Sequence, residues 1–195
     1  MEKLRLIRKM QFGFSAVLAV FFVVGIVSYR SVGATAESER WVEHTHEVLE
    51  HLQSLLSEIT DTQTGCREFA LSGEETFLQS SVANGSLVDQ EEKILRALTA
   101  DNPYQQSKLA TLAGLTEQTV CDRDRLVRMH RAGGPEAAAE AIRHGRGERI
   151  LDEAHTVVRD MEDQEHRLLT ERNADARRRF LRTKVAIILG SVWDC

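Results

Sequence analysis

Apolar positions recur along most of this chain at helical spacing, and the longest series is regular enough to fix a register. Trp41, Thr45, Val48, Leu52, Leu55, Ile59, Thr62, Cys66 and Phe69 alternate at spacings of four and three. A seam of that kind lies on one face of a helix and cannot lie on one face of a strand. It predicts a first helix from near Ser31 to Ser72, ended by Gly73 in the left-handed cap position. A second helix carries Phe77, Leu78, Leu87, Ile94 and Leu98 and stops at Asp101-Asn102-Pro103. Pro103 suits the first turn of a third helix capped by Asp101 or Asn102. That helix shows Leu109, Leu112, Thr116, Val120, Leu126 and Met129 and breaks at Gly133-Gly134-Pro135. A short alanine-rich helix follows, from Glu136 to His144. The last helix repeats the seam with Ile150, Ala154, Val157, Met161, Gln164, Leu168 and Glu171. No segment alternates with the period of a strand, so the predicted fold class is all-α, an up-down four-helix bundle.

The pattern changes character at both ends. Met10 to Tyr29 is 20 residues without a charge, long enough as a helix to cross a hydrocarbon core of ~30 Å. A cleaved signal peptide has a shorter apolar run, about 7–15 residues. Residues 10–29 are therefore expected to be a retained transmembrane helix, with residues 1–9 in the cytoplasm because basic side chains precede the span. Residues 185–195 begin a second apolar run, Val185 to Trp193, that stops at Asp194-Cys195. Nine residues of helix reach only about half of a bilayer, so this segment is expected to be an incomplete span and the chain to be truncated before any output module.

Charge follows the same division. The net charge of −5 combines +4 over residues 1–30, −13 over 31–176 and +5 over 177–184, with Asp194 making up the rest. The acidic middle is what solvated bundle faces require, and it leaves no broad basic surface for nucleic acid. The first and last helices, the two long enough to reach a membrane, share the heptad seam. That predicts a parallel homodimer, or a pair with full-length relatives, joined through these helices and crosslinkable at Val48 or Leu52.

Candidate chemistry is sparse. His44 and His51 share a face of the first helix and could respond to pH, but no Cys/His ligand spacing exists for a metal. Cys66 lies on the seam and Cys121 off it, so the first is expected in the core and the second exposed, where it could link two protomers. They stand at one height on diagonal helices, too far apart for a disulfide. Gly65 interrupts a helix at a cost of about 1 kcal/mol against Ala. Close helix approach or a hinge would explain it, with Arg67 beside it pairing a carboxylate or a ligand. No phosphate-binding loop, nucleophile or cofactor motif is present, and no catalytic activity or cofactor is expected.

Four ordered segments carry a family resemblance. Trp41-Val42-Glu43-His44-Thr45-His46-Glu47-Val48 resembles the opening of the type-three CHASE domain, the cyclase- and histidine-kinase-associated sensory extracellular domain. Asp61 to Gly73, with Thr64-Gly65-Cys66-Arg67 inside it, is similar to that family's D-x-E-T-G-x-R-G segment. Thr99 with Asp101-Asn102-Pro103 and Gln105-Gln106 is similar to T-x-D-N-P-x-Q, and Gly145 to Arg172 to the last helix. The sequence departs at Gln63, Cys66 and Glu68. The resemblance implies a four-helix sensor over residues 31–184, periplasmic or extracellular, held in a bacterial inner membrane and normally driving a histidine kinase, cyclase or receptor module. Its stimulus would be a small ligand or a periplasmic protein. On that reading Trp41, His44, Thr64, Gly65, Arg67, Asp101 and Asn102 are the candidate signal-related residues. The competing reading is a structural or adaptor bundle with no signal input.

Overall fold

The computed structural model describes residues 2–192 and contains four helices: α1 (Glu2–Ser72), α2 (Glu75–Leu98), α3 (Pro103–Arg143) and α4 (Arg146–Val192). No strand occurs among the described residues. The chain divides into two compact units, His44–Arg167 and residues 1–43 together with 168–195.

In the unit 44–167, one aliphatic core draws on all four helices. It contains Val48, Leu52, Leu55 and Ile59 of α1, Val88 and Leu95 of α2, Leu109, Leu112 and Leu115 of α3, and Ile150, Ala154, Val157, Val158 and Met161 of α4. Each large side chain buried there contributes about 1.5–3 kcal/mol of transfer free energy. Polar links between neighbours fix the directions. Ser81 donates to the Thr62 carbonyl at 2.8 Å and His51 pairs with Glu91 at 2.6 Å, so α2 runs opposite to α1. Gln106 of α3 donates to the Arg96 carbonyl and Thr116 to Glu92, so α3 reverses again. Lys108 pairs with Asp160 while Arg146 approaches Asp122, which makes α4 antiparallel to α3. This is the up-down bundle.

The breaks have local causes. Gly73 takes φ +75°, and its N–H donates to the Phe69 carbonyl at 2.8 Å. Asn102 caps α3, its side chain accepting from the Tyr104 and Gln105 N–H groups, with Pro103 in the first turn. Within α3 the backbone turns at Gly134, at φ 73° and ψ −171°, into the alanine-rich segment. Gly145, at φ +66°, separates that segment from α4.

The α1 seam is buried as expected from Thr45 to Phe69, with Trp41 half-buried. The other seams need correction. In α2 the fully buried stripe is Ser81, Val88 and Leu95, whereas Leu87 is exposed and Phe77, Leu78, Ile94 and Leu98 are half-buried. In α3 it is Gln105, Leu109, Leu112, Leu115, Thr119, Asp122 and Leu126; Thr116 and Val120 are half-buried and Met129 exposed. In α4, Glu165 is buried while Gln164 and Leu168 are half-buried and Glu171 is exposed. Polar side chains with hydrogen-bond partners inside the bundle take positions that hydropathy reserves for Leu. A further correction concerns the dimer seam. Val48 and Leu52 are both 0% exposed within a single chain, so the α1 heptad is consumed by its own bundle and offers no surface there to a second copy.

In the unit formed by 1–43 and 168–195, Ser38 donates to Asn173 at 2.7 Å, and the Arg172 guanidinium lies 3.7 Å from the centre of the Trp41 ring. Large apolar side chains of α1 are solvent-exposed here, including Phe14, Leu18, Phe21, Phe22, Val24 and Tyr29. Among the described residues no helix is long and apolar enough to cross a membrane. Most side chains of the expected 10–29 span, and all of those in the 185–195 stub, lie outside the described ones.

Candidate functional site

Above the aliphatic core the bundle becomes small and polar. A second cluster of Cys66, Ala70, Leu126, Ala138 and Ala141 joins α1 to both segments of α3. The reason is backbone proximity. A Cβ on Gly65 would stand 2.8 Å from the Phe77 carbonyl oxygen and 3.3 Å from the Ser81 Cβ. Gly65 therefore marks close approach of α1 and α2, one of the two roles its position suggested. At Gly147 of α4 a Cβ would meet only the end of the Gln63 side chain, at 2.7 Å, which can move aside.

Asp122 is the charged centre of this layer. Its carboxylate is 6% exposed and accepts from Arg125 at 3.0 and 3.1 Å, with Arg146 at 4.0 Å. Arg125 also reaches the Ala141 carbonyl at 3.5 Å. One ion cluster thus ties α3, its alanine-rich segment and the start of α4. Beside it, burial first and the Asp122 charge second push the Cys66 thiol up to about 12. The thiolate, which is the nucleophilic and metal-ligating form, is disfavoured there. Cys66 is buried and Cys121 exposed, and both are free. Cys195 lies outside the described residues.

Two cavities open in the bundle, one within this layer and one where it meets the aliphatic core, whose Ile59 and Val88 line it. The smaller, lined by Cys66, Arg67, Asp122, Arg123 and Gly147 among others, has a volume of about 20 Å³, room for a water molecule. The larger is about 290 Å³ and lies among α1, α2 and α3, lined by Ile59, Thr62, Val82, Gly85, Val88, Val120 and Arg123 among others. Thr119 and Arg123 border both. The Thr62 hydroxyl is buried without a hydrogen-bond partner.

The sequence candidates do not converge on one place. Thr64 and Arg67 are exposed next to buried Gly65, and Arg67 lines the smaller cavity. Asn102 is a helix cap and Asp101 is exposed beside it. Trp41 belongs to the other unit, under Arg172. His44 is half-buried at the start of the bundle, and His51 pairs with Glu91. Among the described residues no group of three His, Cys, Asp or Glu side chains is placed to hold a metal.

Sequence reasoning missed the buried polar residues. Gln105 is 0% exposed and donates to the Met161 carbonyl at 3.0 Å and to Glu165 at 2.8 Å. Gln106 holds the end of α2 through the Arg96 and Thr99 carbonyls. The available signal was the helix register, which returns to Gln105 from Leu109 and Leu112 and reaches Asp122 and Leu126 in the other direction.

The described residues thus form a helical bundle with an aliphatic core and a small, polar layer beside it. The crystal structure of the sensor domain of the Rhodopseudomonas palustris histidine kinase HK9 is similar to this chain. Identity is 25% and the TM-score 0.57, over 65% of this chain and 98% of that one. No curated protein sequence matches at a significant level. The family model described as the CHASE3 domain matches residues 38–175. The chain belongs to the CHASE3 family of sensor domains.

Proposed function

We propose that this protein is the extracytoplasmic input domain of a bacterial transmembrane signalling protein of the histidine-kinase or receptor type. On this reading α1 and α4 pass helix movement through the inner membrane, with the N-terminus in the cytoplasm. The observation that carries the reading is the contrast in apolar exposure along α1. From Thr45 to Phe69 the seam is buried, whereas Phe21, Phe22 and Tyr29 are exposed by 72, 73 and 84%. Side chains of that kind, left uncovered by their own chain on a run without charge, suit a lipid surrounding. Only α1 and α4 extend beyond the bundle unit, so they are the elements through which a change in the bundle would leave it. A dimer, with itself or with relatives, would use faces other than Val48 and Leu52.

Cys121 supplies the test, since it is exposed while Cys66 is buried. In a Cys195→Ser background expressed in a Gram-negative host, a membrane-impermeant maleimide should label Cys121 in intact cells. The chain should also resist carbonate extraction from membranes. Labelling only after lysis, or recovery of the chain in the soluble fraction, would overturn the reading.

A further inference from the structure

The larger cavity has the attributes of a binding site. Its volume of about 290 Å³ is at the lower end of the range for small-molecule pockets, roughly 300–1,000 Å³. Ile59, Val82, Val88 and Val120 give it apolar walls, and the exposed Val82, Ser86 and Asp89 place its rim at the solvent.

Two polar groups lack a full set of partners or carry spare donors. Thr62 is 3% exposed and its hydroxyl has no hydrogen-bond partner, an arrangement that costs about 1–3 kcal/mol. The neighbouring hydroxyls are already engaged, Thr119 with the Leu115 carbonyl at 3.0 Å and Thr116 with that of Leu112 at 3.1 Å. Arg123 has a side chain only 16% exposed, and its Nε donates to Asp124 at 3.2 Å. A guanidinium carries five N–H donors in a planar fork that matches a carboxylate. Of the carboxylates nearby, Asp89 and Asp124 are exposed, the buried Asp122 is paired by Arg125, and the part-buried Glu92 accepts from Thr116. Among the residues that line the cavity Arg123 is the cation and Asp89, at the rim, the anion.

The α2 wall supplies the third observation. Gly85 is helical and lines the cavity, and nothing stands within 4 Å of a Cβ built there. Unlike Gly65, it is not demanded by packing, and its absent side chain leaves the space open.

We propose that this cavity binds a small monocarboxylate with an apolar body. The carboxylate pairs with Arg123, the body lies against Ile59 and Val82, and an acceptor atom satisfies Thr62. That the same molecule is the sensed signal rests on the reading given under Proposed function; the binding itself does not.

The test is isothermal titration of the purified full-length chain with benzoate, phenylacetate and isovalerate, and with benzylamine as the cationic counterpart. At least one carboxylate should saturate one site per chain, and benzylamine should not. Arg123→Gln should weaken that binding about tenfold or more, the loss of a charge-assisted contact. Gly85→Leu, which fills the space, should abolish binding while helicity holds and the melting temperature does not fall. Thr62→Val keeps the side-chain shape and should weaken binding severalfold without destabilising the fold, so it serves if Gly85→Leu misfolds. Failure of all three acids to saturate, preference for benzylamine, or wild-type affinity in a folded Gly85→Leu or Thr62→Val chain would each overturn the proposal. Cys121 labelling is indifferent to these results, so failure here and failure of the transmembrane reading are distinguishable.

Discussion

The two halves of the bundle solve the packing problem with different materials. Around Leu52, Leu55, Leu95, Leu109 and Leu112 the four helices meet through large aliphatic side chains. Around Cys66, Ala70, Ala138 and Ala141 they meet through small ones, with the Asp122 ion cluster and the smaller cavity beside them and the larger cavity at the border with the aliphatic half. Large side chains interdigitate and leave little free volume. Small residues let backbones approach, as at Gly65. The aliphatic half is thus the tightly filled part of the bundle, and the proposals above place any response in the polar half. Several measurements would break or sharpen that contrast.

The largest effect concerns Cys66. Its thiol rises from 9.0 to about 12 in the folded chain, which lowers the thiolate fraction at neutral pH roughly a thousandfold. Alkylation of Cys66 by iodoacetamide should be slower by about that factor in the native chain than in the denatured one. The sign of the linked stability follows. A folded value above the unfolded one favours folding fully below pH 9.0, and the advantage is lost as pH rises through about 12. Urea midpoints measured from pH 8 upward should fall more steeply for the wild type than for Cys66→Ala. Rapid native alkylation would mean that the polar half is open rather than merely loosely filled.

Leu55→Ala tests the aliphatic half. Leu55 is 0% exposed inside the four-helix core, so truncation should cost about 2–5 kcal/mol in chemical denaturation. A loss below about 1 kcal/mol would indicate that this layer repacks freely, contrary to the division of labour.

How much of this was legible beforehand depended on whether burial coincided with hydropathy. In α1 it did, and the register from Thr45 to Phe69 was read without error because every seam position held a side chain of low polarity. In α2 the register slipped because Ser81 occupies a buried position that Gly65 keeps too narrow for Leu. In α3 it slipped because Leu115 and Thr119 are covered while Thr116 and Val120 face the cavity. Asp122, Gln105 and Glu165 look like surface residues in any hydropathy pattern, and only three-dimensional partners explain their burial. The same holds for the cavity. Its walls are ordinary Ile, Val and Thr positions on three helices, and no local spacing announces that they fail to meet. The family, by contrast, was legible from Trp41 to Arg172, since its motifs are caps, turns and close approaches that local sequence encodes.

The two glycines give a paired test with opposite signs. In Gly65→Ala the new methyl meets the Phe77 carbonyl at 2.8 Å, so α2 must shift. Overpacking of that kind costs about 1–3 kcal/mol, more than the helix-propensity gain of about 1 kcal/mol offsets. Net destabilisation in thermal unfolding is expected, smaller than that of Leu55→Ala.

Gly85→Ala should do the reverse. Nothing lies within 4 Å of the added Cβ, so no clash opposes the gain of roughly 0.5–1 kcal/mol from replacing a mid-helix glycine. A raised denaturation midpoint would show that the chain tolerates a less stable α2 where the wall borders open space. A lowered midpoint would show that the position is packed after all, and the distinction between a glycine required by contact and one that keeps a cavity clear would fail at this site. Each variant adds one methyl to a glycine inside one of two neighbouring helices, so the space around each sets their signs apart.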